Sequence, residues 1–341
     1  MSVTAGPGAG AGHGASSAEW RAFRECGGVV DLASRVKLLF KGDDRIRYLN
    51  GQLTANIAAA KCPSVFPACV TTAKGRMCAD VFVSIGPSGV LVDADAAVAE
   101  TLPARMERYI IADDVTMEDA TGSIAIVHFA GVKMDGVPEE IRAALVPANR
   151  FGVAGHDYFP AFRKDLPPVW EKITARLPVL SEALLDLIRI EHGVPRWGRE
   201  LDENTLPHEA GLDRTHIDFH KGCYIGQEVI SRLRSVGHVN RELRGFVSAD
   251  GSPLTAGSRI FSAADPARAG DAANPARAGD AANPAREVGR ITSAEFSFAL
   301  DRHIALGYRR RDAAGGEFLA AAPEAPDTPA RIALHALPFA P

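Results

Sequence analysis

RIEHGVPRWGRELDENTLPHEAGLDRTHIDFHKGCYIGQEVISRLRSVGHVNRELRG, residues 189–245, is the densest polar stretch of the chain, and the fold reading turns on it. It gathers Arg, Glu and His around several glycines and a single cysteine, Cys223. At its centre lies KGCYIGQE, Lys221 to Glu228. Gly222 and Gly226 permit tight turns beside the thiol, and Lys221 with the neighbouring arginines can favour its thiolate form. Tyr224 can stack on a flat ligand or donate a hydrogen bond. Gln227 donates and accepts, which suits the edge of a heterocycle, and Glu228 can cap a helix start or accept from a ligand amino group. These residue types leave three chemistries open. The first is a structural turn around a buried cysteine. The second is a metal held by Cys223 with His216, His220 or His238, although these lack a compact ligand spacing. The third is a Cys–His hydrolase, for which no orienting third group is evident.

Upstream of this stretch, strands and short helices alternate. Val29 to Phe40 reads as one or two strands. Asp43 or Asp44 can cap a following helix, with Ile46, Leu49, Leu53 and Ile57 at helical spacing and Gly51 weakening it. TTAKGRMCADVFVSIGPSGVLVDAD, from Thr71, reads as strand–turn–strand, with GPSG as the reversal. Further expectations are a helix within Ala96–Tyr109 and strands at Val115–Glu118 and Ile124–Phe129. Short helices are expected from Pro138 to Leu145 and from Ser181 to Ile190. Past Arg244, short apolar runs suggest a small β domain. Inside it, DPARAGDAANPARAGDAANPARE repeats a nine-residue unit of small, polar and proline residues that cannot supply a core, so residues 264–286 read as an exposed hairpin-loop expansion.

Composition bounds these readings without choosing an activity. The 341 residues allow two or three domains, and 46% hydrophobic with 23% charged residues is ordinary for a globular chain. A net charge of −4 argues against direct nucleic-acid binding by bulk electrostatics. Five cysteines, at 26, 62, 69, 78 and 223, match neither a disulfide scaffold nor a CxxC metal pair. The first eighteen residues lack charge and an apolar core, and read as a flexible tail rather than a targeting signal. No apolar run reaches the roughly 20 residues of a membrane span. A cytoplasmic, monomeric protein without a membrane partner is the resulting expectation.

KGCYIGQE resembles the signature of the YgfZ/IBA57 branch of the folate-binding aminomethyltransferase-like superfamily. The likeness continues in DLASRVKLLFKGDDRIRYLNGQLTANI from Asp31 and in TTAKGRMCADVFV with Lys74, Gly75 and Arg76. It recurs in IRIEHGVPRWGRELDENTLPHEAGL, VGRITS and IALGYRRR. These ordered blocks run from about Asp31 to Arg310, roughly four-fifths of the chain.

The resemblance implies an α+β chain with the aminomethyltransferase-like (GcvT-like) folate-binding fold. That fold has a ferredoxin-like portion and a C-terminal β-barrel arranged around a central opening. The corresponding division is a tail at 1–18, a folate-binding α/β region in two portions at 19–240, a barrel at 241–320 with the insertion at 264–286, and an extension at 321–341. Tetrahydrofolate or a derivative is the implied cofactor, with no stably bound metal. Glu191 matches the family's pterin-facing acid. Asn50, Gln52 and Thr54 fall in the matching polar segment, Arg189 precedes Glu191, and Tyr224 and Gln227 shape the wall. Arg76 and Arg232 suit an anionic tail. The implied function is help in assembling or repairing iron–sulfur clusters, especially [4Fe–4S] clusters. Cys223 would be the functional thiol and transient cluster contact, and the partners A-type carriers and client enzymes. Any effect on tRNA modification would then be indirect. A folate-dependent aminomethyltransferase and a noncatalytic folate-responsive adaptor are the competing readings. The first is opposed by the cysteine-bearing motif and by the lack of an RDSLR-type segment.

Overall fold

The alternating run at 29–40 is two strands that belong to different sheets. The computed structural model describes residues 14–160, 162–235, 237–262, 286–313 and 315–339. Helix α1 (Ser17–Cys26) opens on a capping box between Ser16 and Glu19, so ordered structure begins inside the stretch expected as tail; residues 1–13 lie outside the described set. Strand β1 (Gly28–Asp31) follows, and β2 (Val36–Lys41) begins after a turn.

The first sheet has the order β3-β4-β5-β2-β6, all antiparallel, with β3 (Ser64–Thr71), β4 (Met77–Gly86), β5 (Gly89–Ala94) and β6 (Thr116–Asp119). Helices α2 (Arg45–Gln52) and α3 (Thr101–Glu107) pack on one face. Leu49, Leu102 and Met106 meet Leu38, Phe40, Val81, Val83 and Val92 in its core. Helix α2 is shorter than the apolar spacing suggests. The Asn50 side chain accepts from the Ile57 and Ala58 amides and turns the chain, so Leu53 and Ile57 are buried beyond the helix end. Asp44 does not cap its own helix; its carboxylate accepts instead from the Asp114 amide at 2.9 Å.

The second sheet has the order β1-β7-β9-β8, with β7 (Val127–Ala130), β8 (Val146–Ala148) and β9 (Gly155–Tyr158). Helices α4 (Glu139–Arg142) and α5 (Leu166–Thr174) cover its core of Val29, Val127, Phe129, Ile141 and Ile173.

A buried ionic network joins the two sheets. Arg150 spans Asp93 of β5, at 2.9 Å through both terminal nitrogens, and Asp157 of β9, at 2.7 Å. Its guanidinium also lies 4.3 Å from the Phe82 ring centroid, and Arg35 adds a second cation to Asp93. On the far side the His128 Nδ1 lies 2.8 Å from Asp157, which fixes Nδ1–H as donor to the carboxylate. Burial is the largest influence on His128 and holds its pKa below the ordinary value near 6.5, opposed by Asp157 and assisted by Arg150 and His156. The imidazole is therefore neutral in the fold and becomes charged on unfolding below that pH, so the unfolded chain binds the extra proton and stability falls as pH falls. The urea midpoint should drop between pH 7.5 and 5.5, with a smaller drop in His128→Gln. Equal drops in the two proteins would remove His128 from the effect.

Six strands between Arg241 and His335 form a closed antiparallel barrel in the order β10-β13-β12-β11-β14-β15. The strands are β10 (Arg241–Ser248), β11 (Arg259–Ser262), β12 (Glu287–Ser297), β13 (Arg302–Arg310), β14 (Glu317–Ala322) and β15 (Ala325–His335). Residues 321–341, expected as an extension beyond the barrel, instead contain β15. It pairs with both β14 and β10 and closes the cylinder. Its polar stretch APDTPAR hid the strand, although closure removes an edge the barrel would otherwise expose. The expected loop expansion at 264–286 lies outside the described residues apart from Arg286. The strands that flank it, β11 and β12, are paired neighbours.

Candidate functional site

Helix α6 (Glu182–Glu191) is capped by Ser181, and its buried face carries Leu184, Leu187, Ile188 and Ile190. Its last turn delivers Arg189 and Glu191 into the junction with the barrel. Arg189 is spent on protein partners: Asp186 at 2.5 Å, Glu200 at 2.9 Å, Ser293 at 2.7 Å and the Val194 carbonyl at 3.3 Å. It locks α6 to β12 and presents no open face to a ligand, contrary to the expectation that it contacts the cofactor. Glu191 is different. It is 5% exposed, and its carboxylate accepts one hydrogen bond, from Ser297 at 2.6 Å. No cation pairs with it among the described residues.

The KGCYIGQE segment is built onto the turn after β3 and the end of α2. The Lys221 ammonium donates to the carbonyls of Asn50, Leu53 and Ala55 at 2.6, 2.7 and 2.6 Å, which satisfies all three of its protons. Burial lowers its pKa to about 8. Lys221 thus staples the motif to the C-terminal end of α2, whereas the sequence reading aimed its charge at the thiol. Gly226, at φ +90°, comes so close to the Thr72 carbonyl that a Cβ would lie 2.6 Å from it. Thr71 Oγ1 donates to the Ile225 carbonyl at 2.6 Å, and the Ile225 amide reaches Gly51. Helix α7 (Gln227–Ser235) then carries Glu228, Arg232 and Arg234 outward, while Val229 and Ile230 pack on Gly75.

Held this way, Gly222 and Cys223 are exposed. Tyr224 is 7% exposed, and its buried hydroxyl has no partner among the described residues. Burial pushes its pKa up to about 12. The remaining expected ligand residues divide. Thr54 is fully buried, its hydroxyl donating to the His216 carbonyl and accepting from the Cys69 amide, so it braces the backbone rather than lining a cleft. The Gln52 carbonyl accepts from Arg105 at 3.0 Å, and Asn50 caps its own turn. Arg76 is exposed and bonded to the Asn204 carbonyl.

Sequence reasoning passed over three residues. Arg105 holds Gln52 and the Thr71 carbonyl together while stacking on Tyr109 at 4.3 Å. Glu200 organises the barrel junction. Ser297 is the donor to Glu191. Nothing local marks either acid or hydroxyl: Glu200 follows Arg199 in a charged run, and Ser297 ends an ordinary strand.

Two cavities, of about 330 and 300 Å³, lie at the Ser252–Thr255 end of the barrel and beside Asn56–Phe66, and neither is lined by Glu191 or Cys223. Among the described residues, no group of three or more His, Cys, Asp or Glu is placed to hold a metal ion, and no helix is long and apolar enough to cross a membrane.

No family model matches the chain. It is 30% identical over 247 residues to the mitochondrial iron–sulfur cluster assembly factor IBA57 homologue of Chaetomium globosum, covering 63% of this chain and 55% of that protein. The matching protein of Pyricularia oryzae is 29% identical over 232 residues, with 56% of its length covered. The chain thus spans little more than half the length of these relatives. An aminomethyltransferase of Streptomyces avermitilis is 24% identical over 325 residues, covering 87% of this chain and 82% of that enzyme. The glycine cleavage system aminomethyltransferase T of Bartonella henselae shares the fold with a TM-score of 0.74 at 15% identity, over 92% of this chain and 86% of that one. The IBA57 homologues are mitochondrial by name, which overturns the cytoplasmic location expected from the sequence. Sequence likeness and shared architecture agree: the chain is similar to IBA57-type assembly factors and to aminomethyltransferases, and it has the aminomethyltransferase fold.

Proposed function

We propose that this protein binds a reduced folate at Glu191 and assists the assembly or repair of iron–sulfur clusters, especially [4Fe–4S] clusters in client enzymes, through Cys223. The observation that carries the folate half is the Glu191 carboxylate, buried with a single hydroxyl donor and no cation among the described residues. A buried carboxylate in that state has unfilled acceptor capacity, and burying it costs energy that further donors would offset. The amino-pyrimidinone edge of a pterin offers adjacent N–H donors of the kind it lacks. When bound, tetrahydrofolate supplies nucleophilic nitrogens, one in the reduced ring and one in the bridge to the aminobenzoyl group, able to carry a one-carbon unit. For the cluster half, Cys223 is an exposed thiol on a loop fixed by Lys221 and Gly226, suited to a contact shared with an A-type carrier or client. One cysteine is a poor permanent cluster site, because a cubane requires several ligands.

Glu191→Ala should weaken binding of reduced folate about 10- to 100-fold, the loss of a charge-assisted pairing. Unchanged affinity in the folded variant would take Glu191 out of the site. Cys223→Ala should retain folate binding while losing activation of a [4Fe–4S] client in anaerobic reconstitution with a cluster carrier. Equal loss of both would make the cysteine structural. The longer match to aminomethyltransferases, 87% of this chain for the Streptomyces avermitilis enzyme, favours one-carbon transfer as the second reading. Stoichiometric folate consumption in the same assay would select it. Faster maturation without folate consumption would support an adaptor or a cofactor-dependent assembly factor.

A further inference from the structure

The donor to Glu191 comes from the barrel. Ser297 ends β12 with no exposed surface, and its Oγ accepts the Leu300 amide at 3.2 Å. That contact uses a lone pair of the oxygen and directs the hydroxyl proton the other way, onto Glu191 Oε1 at 2.6 Å. Four residues earlier on the same face of the strand, Ser293 meets Arg189 and Glu200. Strand β12 therefore addresses the last turn of α6 twice, with different results. At Ser293 every partner is protein. At Ser297 one carboxylate oxygen is fixed, and no second donor among the described residues reaches the other.

We infer that Ser297 is the positioning residue for Glu191: by holding one oxygen it turns the other towards the donor edge of the ligand. The barrel thereby sets the orientation of a group borne by the α/β region. This inference rests on the folate reading above.

The test is calorimetric titration of the full chain with 5-formyltetrahydrofolate, a stable reduced folate. Ser297→Ala should weaken binding about tenfold, the worth of one hydrogen bond to a charged group. The readout that separates positioning from general support is a double-mutant cycle with Glu191→Gln. If Ser297 acts through Glu191, the double variant binds no more than about twofold weaker than Glu191→Gln alone. Losses that multiply overturn the inference. So does a tenfold loss in Ser293→Ala, which loosens the same strand without touching Glu191. Should Ser297→Ala fail to fold, Ser297→Cys keeps the volume with a poor donor and is expected to show the same loss. Wild-type affinity retained by Ser297→Ala or Ser297→Cys overturns the role of Ser297 and leaves the folate reading standing, whereas wild-type protein that binds no reduced folate overturns both.

Discussion

Arg150→Met is expected to destabilise the fold by about 3–5 kcal/mol, the cost of removing one partner from a buried ion pair. The guanidinium side chain is 2% exposed, and the Asp93 and Asp157 side chains have no exposed surface. Arg150 holds the two carboxylates below their ordinary range against the opposing effect of burial, as do Arg35 for Asp93 and His128 for Asp157. Without Arg150, Asp157 keeps only the neutral His128, and Asp93 keeps only Arg35 at the edge of the network. Asp93 lies on β5 and Asp157 on β9, so the loss falls on the junction of the two sheets. Urea unfolding of the variant should show the midpoint shift. Adding Asp157→Asn should recover part of the loss, because it removes the stranded charge. A fall below about 1 kcal/mol would mean that the carboxylates find water or other partners, as exposed pairs do.

Glu200→Ala should cost a comparable amount, about 3–5 kcal/mol, because four donors converge on one carboxylate with no exposed surface. Arg189 and the Arg196 amide reach Oε2 at 2.9 and 3.0 Å; Thr292 and Ser293 reach Oε1 at 2.7 and 2.6 Å. The Glu200 carbonyl also takes the Tyr308 hydroxyl at 3.0 Å. Truncation strands these donors together, and the seam between α6 and strand β12 carries the damage. Amide exchange should therefore rise in the last turn of α6 and in β12 before it rises in β2–β5. Uniform exchange across the chain would show that the barrel and the α/β region unfold as one unit. Glu200→Gln, which keeps the shape and one acceptor, should lose less than half as much.

Much of the architecture was legible because local pattern and tertiary outcome agree. The Gly86–Gly89 reversal, the Ser181 cap and the short apolar runs after Arg244 are each specified within a few residues, and the structure places β4–β5, α6 and the barrel there. Lys37 shows where that logic fails. In VKLLFK it occupies an ordinary place in an alternating strand, yet it is fully buried, because the carbonyls of Leu32 and Arg35 fold back to within 2.9 Å of its ammonium. Arg189 misled for the same reason: a cation beside the expected ligand acid reads as a ligand contact until the strand that satisfies it, more than a hundred residues away, is in place.

By itself the sequence determined the class of elements, the glycine-flanked cysteine of the KGCYIGQE turn, and the family resemblance. These depend on periodicity and on motifs contiguous in the chain. Which polar groups are consumed and which stay open was decided only by tertiary structure. Lys221 turns inward to three carbonyls 166 to 171 positions upstream. Glu191 keeps acceptor capacity because Ser297, 106 positions downstream, is its only described donor. Hydrogen-bond satisfaction is a property of neighbours in space, set for Lys221 by the docking of its turn on the end of α2 and for Glu191 by the barrel closing against α6.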